Sequence, residues 1–273
     1  MGPAGVPRAA LVTGAARRIG RAIASALADD GWDVAVHHHS SADEAGRLAR
    51  EIEASGRRAV ALQADLAQEA EAAGLVARAC ARLGPISLLV NNAAIFERDL
   101  PLTADAASWQ RHMAINLRAP LVLTQGLLAQ LPPVPDGDAP EPGSEANVIN
   151  LIDQRVLNLT PNYTSYSVSK AGLWALTRHL ALALAPRVRV NAIGPGIVLP
   201  PPGANADSMA AMRRAMPLRR GAGVEEICAC VRFIVATPSL TGQMIALDGG
   251  QHLGWLQPGQ TEPAKTRKLA TES

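Results

Sequence analysis

Seven short aliphatic runs, separated by longer stretches of helical periodicity, constrain this chain more than any other feature. They are Ala9 to Thr13, Asp33 to His37, Arg58 to Leu62, Ile86 to Val90, Asn147 to Ile152, Val188 to Ile193 and Met244 to Leu247. Strands that alternate with helices are joined by right-handed crossovers, which lay the strands parallel and put helices on both faces of the sheet. The alternation predicts an α/β chain, a doubly wound fold with a seven-stranded parallel sheet flanked by helices. With 273 residues, 48% of them hydrophobic, the chain can bury one full core. No linker or internal repeat divides it, so residues 1–256 are expected to form a single domain. From Gln257 the sequence turns polar, with Pro and Gly, and 257–273 is expected to be a disordered tail.

Charge and composition exclude several classes of function. The net charge is +2 and the arginines are spread without a basic run, so neither nucleic acid nor a membrane surface is an expected partner. No apolar run approaches a membrane-spanning length, and the core-like run Ala9 to Val12 comes too early for a signal peptide, which predicts a cytoplasmic protein. Cys80, Cys228 and Cys230 match neither a zinc spacing nor a redox pair and read as small buried hydrophobes. His37, His38 and His39 would alternate faces on a strand and cannot converge on one ion, so no metal site is expected.

Open α/β sheets bind ligands at the carboxyl ends of their strands, and the motifs fall there. The first strand runs into Thr13-Gly14-Ala15-Ala16-Arg17-Arg18-Ile19-Gly20, followed by a helix from Ile19 to Ala28. Small residues let the backbone approach a pyrophosphate, and the helix start attracts its charge; a plain tight turn would look the same. The second strand ends at His37-His38-His39-Ser40-Ser41 with no acidic residue before Asp43. His39, Ser40, Ser41 and the Arg18 guanidinium can donate to a 2'-phosphate, which predicts NADPH over NADH. Asp65, followed by Leu66, is placed to accept from an adenine amino group or, alternatively, to cap the helix beginning near Gln68. Asn91-Asn92-Ala93 closes the fourth strand, with Asn92 and Ala93 expected at the cofactor. Phe96 follows as a candidate to stack on a flat heterocycle or, equally, as core. Asn116 is a poor helix former inside the helical stretch Trp109 to Leu131 and is expected to prop a water or a lysine.

Pro132 to Glu145, with five prolines, two glycines and four acidic residues, is expected to be a surface loop. After the sixth strand, Gly194-Pro195-Gly196-Ile197-Val198 and Leu199-Pro200-Pro201-Pro202-Gly203 predict a loop over the nicotinamide side, continued by a short helical lid from Asp207 to Met216.

The chemistry centres on Asn150-Leu151-Ile152-Asp153 and the later Tyr166-Ser167-Val168-Ser169-Lys170. In a helix ended by Pro186, Tyr166 and Lys170 share a face one turn apart, and a nearby ammonium favours the phenolate. Lys265 and Lys268 fall in the tail, so Lys170 is the only lysine in the first 264 residues, and only two tyrosines exist. A titratable point charge can reach several hydroxyls in a way that a guanidinium fork does not. Two side chains snorkelling from a surface helix is the bland alternative.

The Gly14 to Gly20 turn, Asn91-Asn92-Ala93, Tyr166-x-x-x-Lys170, Pro195-Gly196 and Asp248-Gly249-Gly250, in that order, make residues 8 to 255 resemble the short-chain dehydrogenase/reductase family. The resemblance implies a Rossmann fold, a homotetramer, Tyr166 as acid/base, Lys170 lowering its pKa and holding the nicotinamide ribose, and Asn116 supporting a proton relay. Asp153 stands where most members carry a serine. A carboxylate has no proton to donate when ionised and repels a developing alkoxide, so reduction of a C=N bond suits it better than reduction of a ketone. That departure, with Arg18, the His37 to Ser41 segment, Phe96 and the Asp248 to Leu253 ending, resembles the pteridine reductases, including the dihydromonapterin reductase branch. Ser40 stands where some of those carry an arginine, and Ala94 where some carry a serine. The resemblance implies NADPH-dependent reduction of a dihydropterin, with Tyr166 and Asp153 supplying protons, Phe96 stacking the pterin and Arg18 touching phosphate and pterin. A reductase of a small ketone, aldehyde or cyclic imine, and a non-catalytic NADP-binding regulator, are the competing expectations.

Overall fold

The computed structural model describes residues 8–132, 146–199, 210, 212–214 and 216–254. Seven strands appear where the aliphatic runs lie: β1 (Ala9–Val12), β2 (Asp33–His38), β3 (Ala59–Gln63), β4 (Leu88–Asn91), β5 (Ala146–Leu151), β6 (Val188–Pro195) and β7 (Met244–Leu247). They form one sheet in the order β3-β2-β1-β4-β5-β6-β7, and each neighbouring pair is parallel.

Side chains alternate across the sheet with a period of two, and each face has its own core. Ala10 and Val12 of β1 join Val34, Val36, Leu88, Val90 and Ile149 on the face covered by α1 (Arg18–Asp29), α2 (Ala42–Ala54) and α7 (Val224–Ala236). Ala9 and Leu11 join Ala35, Leu89, Val148 and Val190 on the face covered by α3 (Glu69–Leu83), α5 (Ala119–Gln130) and α6 (Thr164–Leu184). Each fully buried Leu or Ile contributes about 1.5–3 kcal/mol relative to exposure. Cys228 and Cys230 sit in the first core, where burial raises the Cys230 thiol to about 11.

The chain winds outward from β1 to β3 on one side and from β4 to β7 on the other. A crevice therefore opens between the carboxyl ends of β1 and β4, where the winding direction reverses. The predicted Trp109 to Leu131 helix is α4 (Ala106–Met113), a single π turn (Ala114–Arg118) and α5. The Pro132 to Glu145 loop beyond its first residue, the Pro200 to Gly203 stretch, most of the Asp207 to Met216 lid and the 257–273 tail lie outside the described residues. Among the described residues no helix is long and apolar enough to cross a membrane.

Candidate active site

The turn after β1 is held rigidly open at the crevice. Gly14 has φ +62°, a conformation costly for any side chain, and a Cβ on Gly20 would stand 2.3 Å from the Gly14 carbonyl oxygen. Both glycines are thus required for the first turn of α1, with Ile19 half-buried between Arg18 and Gly20, to close on the loop. Asn92 and Ala93 donate their N–H groups to Thr13 Oγ1 at 2.9 and 3.0 Å, and Asn92 Nδ2 donates to the Thr13 carbonyl at 2.8 Å. The Asn92 amide donor therefore braces the turn from the side of β4.

His37 fastens the same turn from the other side. Its Nδ1 accepts from Gly14 N–H at 3.0 Å and its Nε2 lies 3.1 Å from the Ala64 carbonyl, which fixes the neutral tautomer with the proton on Nε2. Burial, the largest cause, lowers its pKa to about 4. His39 and Ser40 are exposed where β2 ends, and Ser41 is half-buried. The basic residue joined to Ser41 is Arg17, whose Nε donates to Ser41 Oγ at 3.0 Å and lies 3.5 Å from Glu44. Arg18 is exposed at the first position of α1 with φ +54°.

Asp65 does not cap α3, whose N-cap is Gln68 with no side-chain bond to the helix; its Oδ1 accepts from Ala67 N–H at 2.9 Å in the turn ahead of the helix and its own N–H donates to Glu71 Oε2 at 2.7 Å, while Leu66 is buried in the core beneath. Pro195 ends β6, and Gly196 N–H donates to the Leu247 carbonyl at 2.9 Å. Asp248 organises the return turn by accepting from Gly250 N–H and from both the backbone and Nδ1 of His252.

The candidate catalytic residues are gathered at the ends of β4 and β5 and the start of α6. Tyr166 donates its O–H to Asp153 Oδ2 at 3.0 Å. The same oxygen lies 3.1 Å from Arg155 Nη1, and Asp153 Oδ1 accepts from Arg155 N–H at 2.8 Å. Lys170 donates from Nζ to the Leu151 carbonyl at 2.7 Å and stands 5.9 Å from the Tyr166 ring centroid. Burial lowers the Lys170 pKa to about 8, against a smaller upward pull from Asp153.

The electrostatics of Tyr166 differ from the sequence expectation. Burial first, then the charge and hydrogen bond of Asp153, push the phenol well above its ordinary value, while Arg155 acts in the opposite direction. Burial and the Asp153 carboxylate thus both favour the protonated phenol.

Asn116 occupies the π turn and is fully buried. Its Oδ1 accepts from Ile95 N–H at 2.9 Å, and its Nδ2 donates to the Ile95 carbonyl at 3.0 Å and to Ser169 Oγ at 3.1 Å. It ties the post-β4 loop to α6 and bonds neither Lys170 nor Tyr166 directly. One residue beyond Ile95, Phe96 is 45% exposed, stacked on Tyr163 with centroids 4.3 Å apart and edge-on to Tyr166 at 4.6 Å. The core alternative for Phe96 does not hold. His112 supports this loop from below, accepting from Glu97 N–H at 3.3 Å, and Asp99 anchors the start of α6 by accepting from Ser165 N–H at 3.1 Å.

Residues 14–252 match the family model described as enoyl-(acyl carrier protein) reductase. The chain belongs to the short-chain dehydrogenase/reductase family. Its relatives include a 3-oxoacyl-[acyl-carrier-protein] reductase of Synechocystis sp., 32% identical over 88% of this chain and 95% of that protein. Another is the cis-4-hydroxycyclohexanecarboxylate dehydrogenase of Sinomonas cyclohexanicum, 34% identical over 92% of this chain and 98% of that protein. Among solved structures, FolM alternative dihydrofolate reductase 1 from Brucella canis, complexed with NADP, superposes with a TM-score of 0.84 at 45% identity, covering 92% of this chain and 96% of that one. The Brucella suis protein, also with NADP, gives a TM-score of 0.84 at 44% identity over 93% and 98%.

Within this short-chain reductase frame, Arg17, Arg155 and Tyr163 were not singled out from the sequence as parts of the site. Arg17 sits in the tandem Arg17-Arg18, of which the sequence expectation took Arg18, while Arg17 is the one bonded to Ser41. Arg155 follows Asp153 by two residues, a spacing that allows one residue to grip a carboxylate with both backbone and side chain.

Proposed function

We propose that this short-chain reductase uses NADPH to reduce a C=N bond of a dihydropterin-type substrate. The observation that carries the reading is a carboxylate bonded at 3.0 Å to the Tyr166 phenol beside a solvent-facing Phe96 ring. The Brucella FolM proteins, solved with NADP, are similar over almost the whole chain and support the same choice.

The glycine turn fits the cofactor, since the missing side chain at Gly20 lets the start of α1 pack directly on the Gly14 carbonyl and brings the helix N-terminus to the switch point. Gly14, Arg18, Ile19, Gly20, Asn92, Ala93, Pro195 and Gly196 would surround it, with Arg17, His39, Ser40 and Ser41 at the 2'-phosphate and Asp65 and Leu66 towards the adenine. When bound, NADPH supplies the hydride. Lys170 would hold the nicotinamide ribose, and Phe96 and Arg18 would position the substrate ring.

Tyr166 then delivers a proton to the ring nitrogen as the adjacent carbon is reduced. Asp153 accepts in each of its described contacts, so it serves best as an acceptor for a ring N–H and as a relay that returns a proton from water to Tyr166. Asn116 keeps the loop and α6 in register for this exchange. We place the enzyme in the cytoplasm as a homotetramer, with no nucleic acid or membrane partner.

The test is NADPH consumption with dihydrobiopterin, dihydromonapterin and dihydrofolate. The expected result is turnover of at least one of them. Turnover of a ketone, aldehyde or cyclic-imine panel, with pterins neither reacting nor quenching bound NADPH fluorescence, would replace this reading with a general carbonyl or imine reductase. Cofactor binding with no turnover at all would leave a regulator.

A further inference from the structure

We propose that Arg155 is a positioning residue for this reaction, the counter-cation that allows a carboxylate to stand beside the reacting phenol. The proposal rests on Tyr166 and Asp153 being the reacting pair, and it does not depend on the substrate being a pterin.

Three observations carry it. Arg155 grips both oxygens of Asp153, its backbone N–H on Oδ1 at 2.8 Å and its Nη1 on Oδ2 at 3.1 Å. One residue thereby closes a ring on the carboxylate and leaves Oδ2 turned towards the Tyr166 hydroxyl. Next, the guanidinium itself is confined, with its side chain only 22% exposed. Its central carbon lies 5.2 Å from the Phe96 centroid and 5.3 Å from that of Tyr163, while those centroids are 4.3 Å apart. A point so nearly equidistant from two stacked rings lies beside the pair rather than over either face. The arginine therefore wedges between the aromatic platform and the carboxylate, and fixes each with respect to the other. Finally, Lys170 donates to the Leu151 carbonyl rather than to the carboxylate, which leaves Arg155 as the cation in direct contact with Asp153 among the described residues.

A lone carboxylate against a buried phenol would repel any negative charge developing on the tyrosine oxygen as its proton leaves. The adjacent guanidinium offsets that field and keeps the carboxylate from swinging to solvent. On this account the exchange of the usual serine for Asp153 works only with an arginine two residues on.

The test is a double-mutant cycle in the full-length enzyme with Arg155→Met, Arg155→Lys, Asp153→Ser and Asp153→Ser combined with Arg155→Met, assayed on whichever substrate the wild type reduces. In Arg155→Met, kcat is expected to fall about tenfold. The alkaline limb of its pH profile should move to higher pH, because the guanidinium pulls the Tyr166 phenol downward and its removal lets the phenol rise further. Arg155→Lys should restore most of that limb, and the NADPH dissociation constant should stay within twofold of wild type throughout. In the Asp153→Ser background Arg155→Met should cost clearly less in kcat than it does beside Asp153. An unmoved limb, or an equal loss in both backgrounds, would overturn the proposal. The unliganded crystal structure of Arg155→Met decides independently of turnover: an Asp153 carboxylate still seated on the Tyr166 hydroxyl sinks it. Failure of pterin turnover alone would remove the substrate assignment and leave this cycle intact on a carbonyl substrate.

Discussion

Lys170 is buried with its ammonium on a single carbonyl, and such a charge has a measurable cost. Its pKa is about 8 in the fold against an ordinary 10.5, so below pH 8 the unfolded chain binds that proton more tightly. The difference corresponds to about 3 kcal/mol at neutral pH, as an order of magnitude. For a base whose pKa is depressed on folding, stability climbs as pH rises from about 8 towards 10.5. Tyr166, an acid with a raised pKa, adds no opposing change until pH passes its ordinary value of 10.0. Urea unfolding between about pH 8 and pH 9, below the point where the buried Cys228 and Cys230 thiols begin to oppose it, should show the climb in wild type and its absence in Lys170→Met, and parallel slopes would contradict the buried charge. Asp153→Ser tests the chemistry at the same scale. It should lower pterin turnover by about 10²-fold, within the usual range for a lost acid/base group, while a carbonyl substrate gains relative to pterin. Wild-type-like pterin turnover in that variant would remove the carboxylate from the mechanism. Tyr166, Lys170 and Phe96 could be picked out from the sequence because tyrosine, lysine and phenylalanine are scarce in it, and scarcity makes position informative. Arg155 and Arg17 could not, since arginine is abundant in the chain and its position alone does not mark which guanidinium joins the site.

At the scale of elements, the cofactor turn is fastened across three strands. His37 on β2 binds Gly14 after β1 and Ala64 after β3, so one imidazole sets the spacing of three strand ends. Protonation adds a hydrogen to Nδ1, facing the Gly14 N–H that it accepts from, and the contact cannot survive. With a folded pKa of about 4 against 6.5, stability contributed by the neutral ring is present above pH 6.5 and is lost as pH falls towards 4. The groups acting on this ring include His38, His39 and Arg78, all cationic or able to become so, and they work in the same direction. We expect thermal stability to drop more steeply in wild type than in His37→Gln between pH 6.5 and 4.5, with NADPH affinity following the same trend. Equal acid sensitivity in the two would show that the staple does not titrate. The π turn at Asn116 illustrates what periodicity misses. A single extra residue in a helix leaves the hydrophobic spacing almost unchanged, and only the bonds from Asn116 to Ile95 reveal why the ladder opens.

For the whole molecule, the alternation of strand and helix was readable because a parallel sheet covered on both faces needs continuous apolar strands, and such runs have few other uses. The fourth strand begins at Leu88 rather than Ile86, since chain entry into a sheet depends on pairing partners far away in sequence. The proposed homotetramer is written less plainly, and α6 is where it can be tested. Its buried face carries Tyr166 and Lys170, while Val168, Ala171, Ala175 and Leu182 are exposed at helical spacing on the other side, Leu182 at 83%. This face, apolar at Val168, Ala171, Ala175 and Leu182 and interrupted by the exposed Arg178 and His179, suits packing against another helix in the proposed homotetramer. Introducing charge there, with Val168→Arg and Leu182→Arg together, should dissociate the assembly, because a buried guanidinium without a partner is expensive. Light scattering should then report a mass nearer the 28.5 kDa of one chain, and kcat should fall several-fold as α6 loses its outer support while still carrying an unaltered Tyr166 and Lys170. A wild-type mass already equal to one chain would end the argument, and an undiminished kcat in a dissociated variant would show that the reacting face of α6 is held by its own core alone.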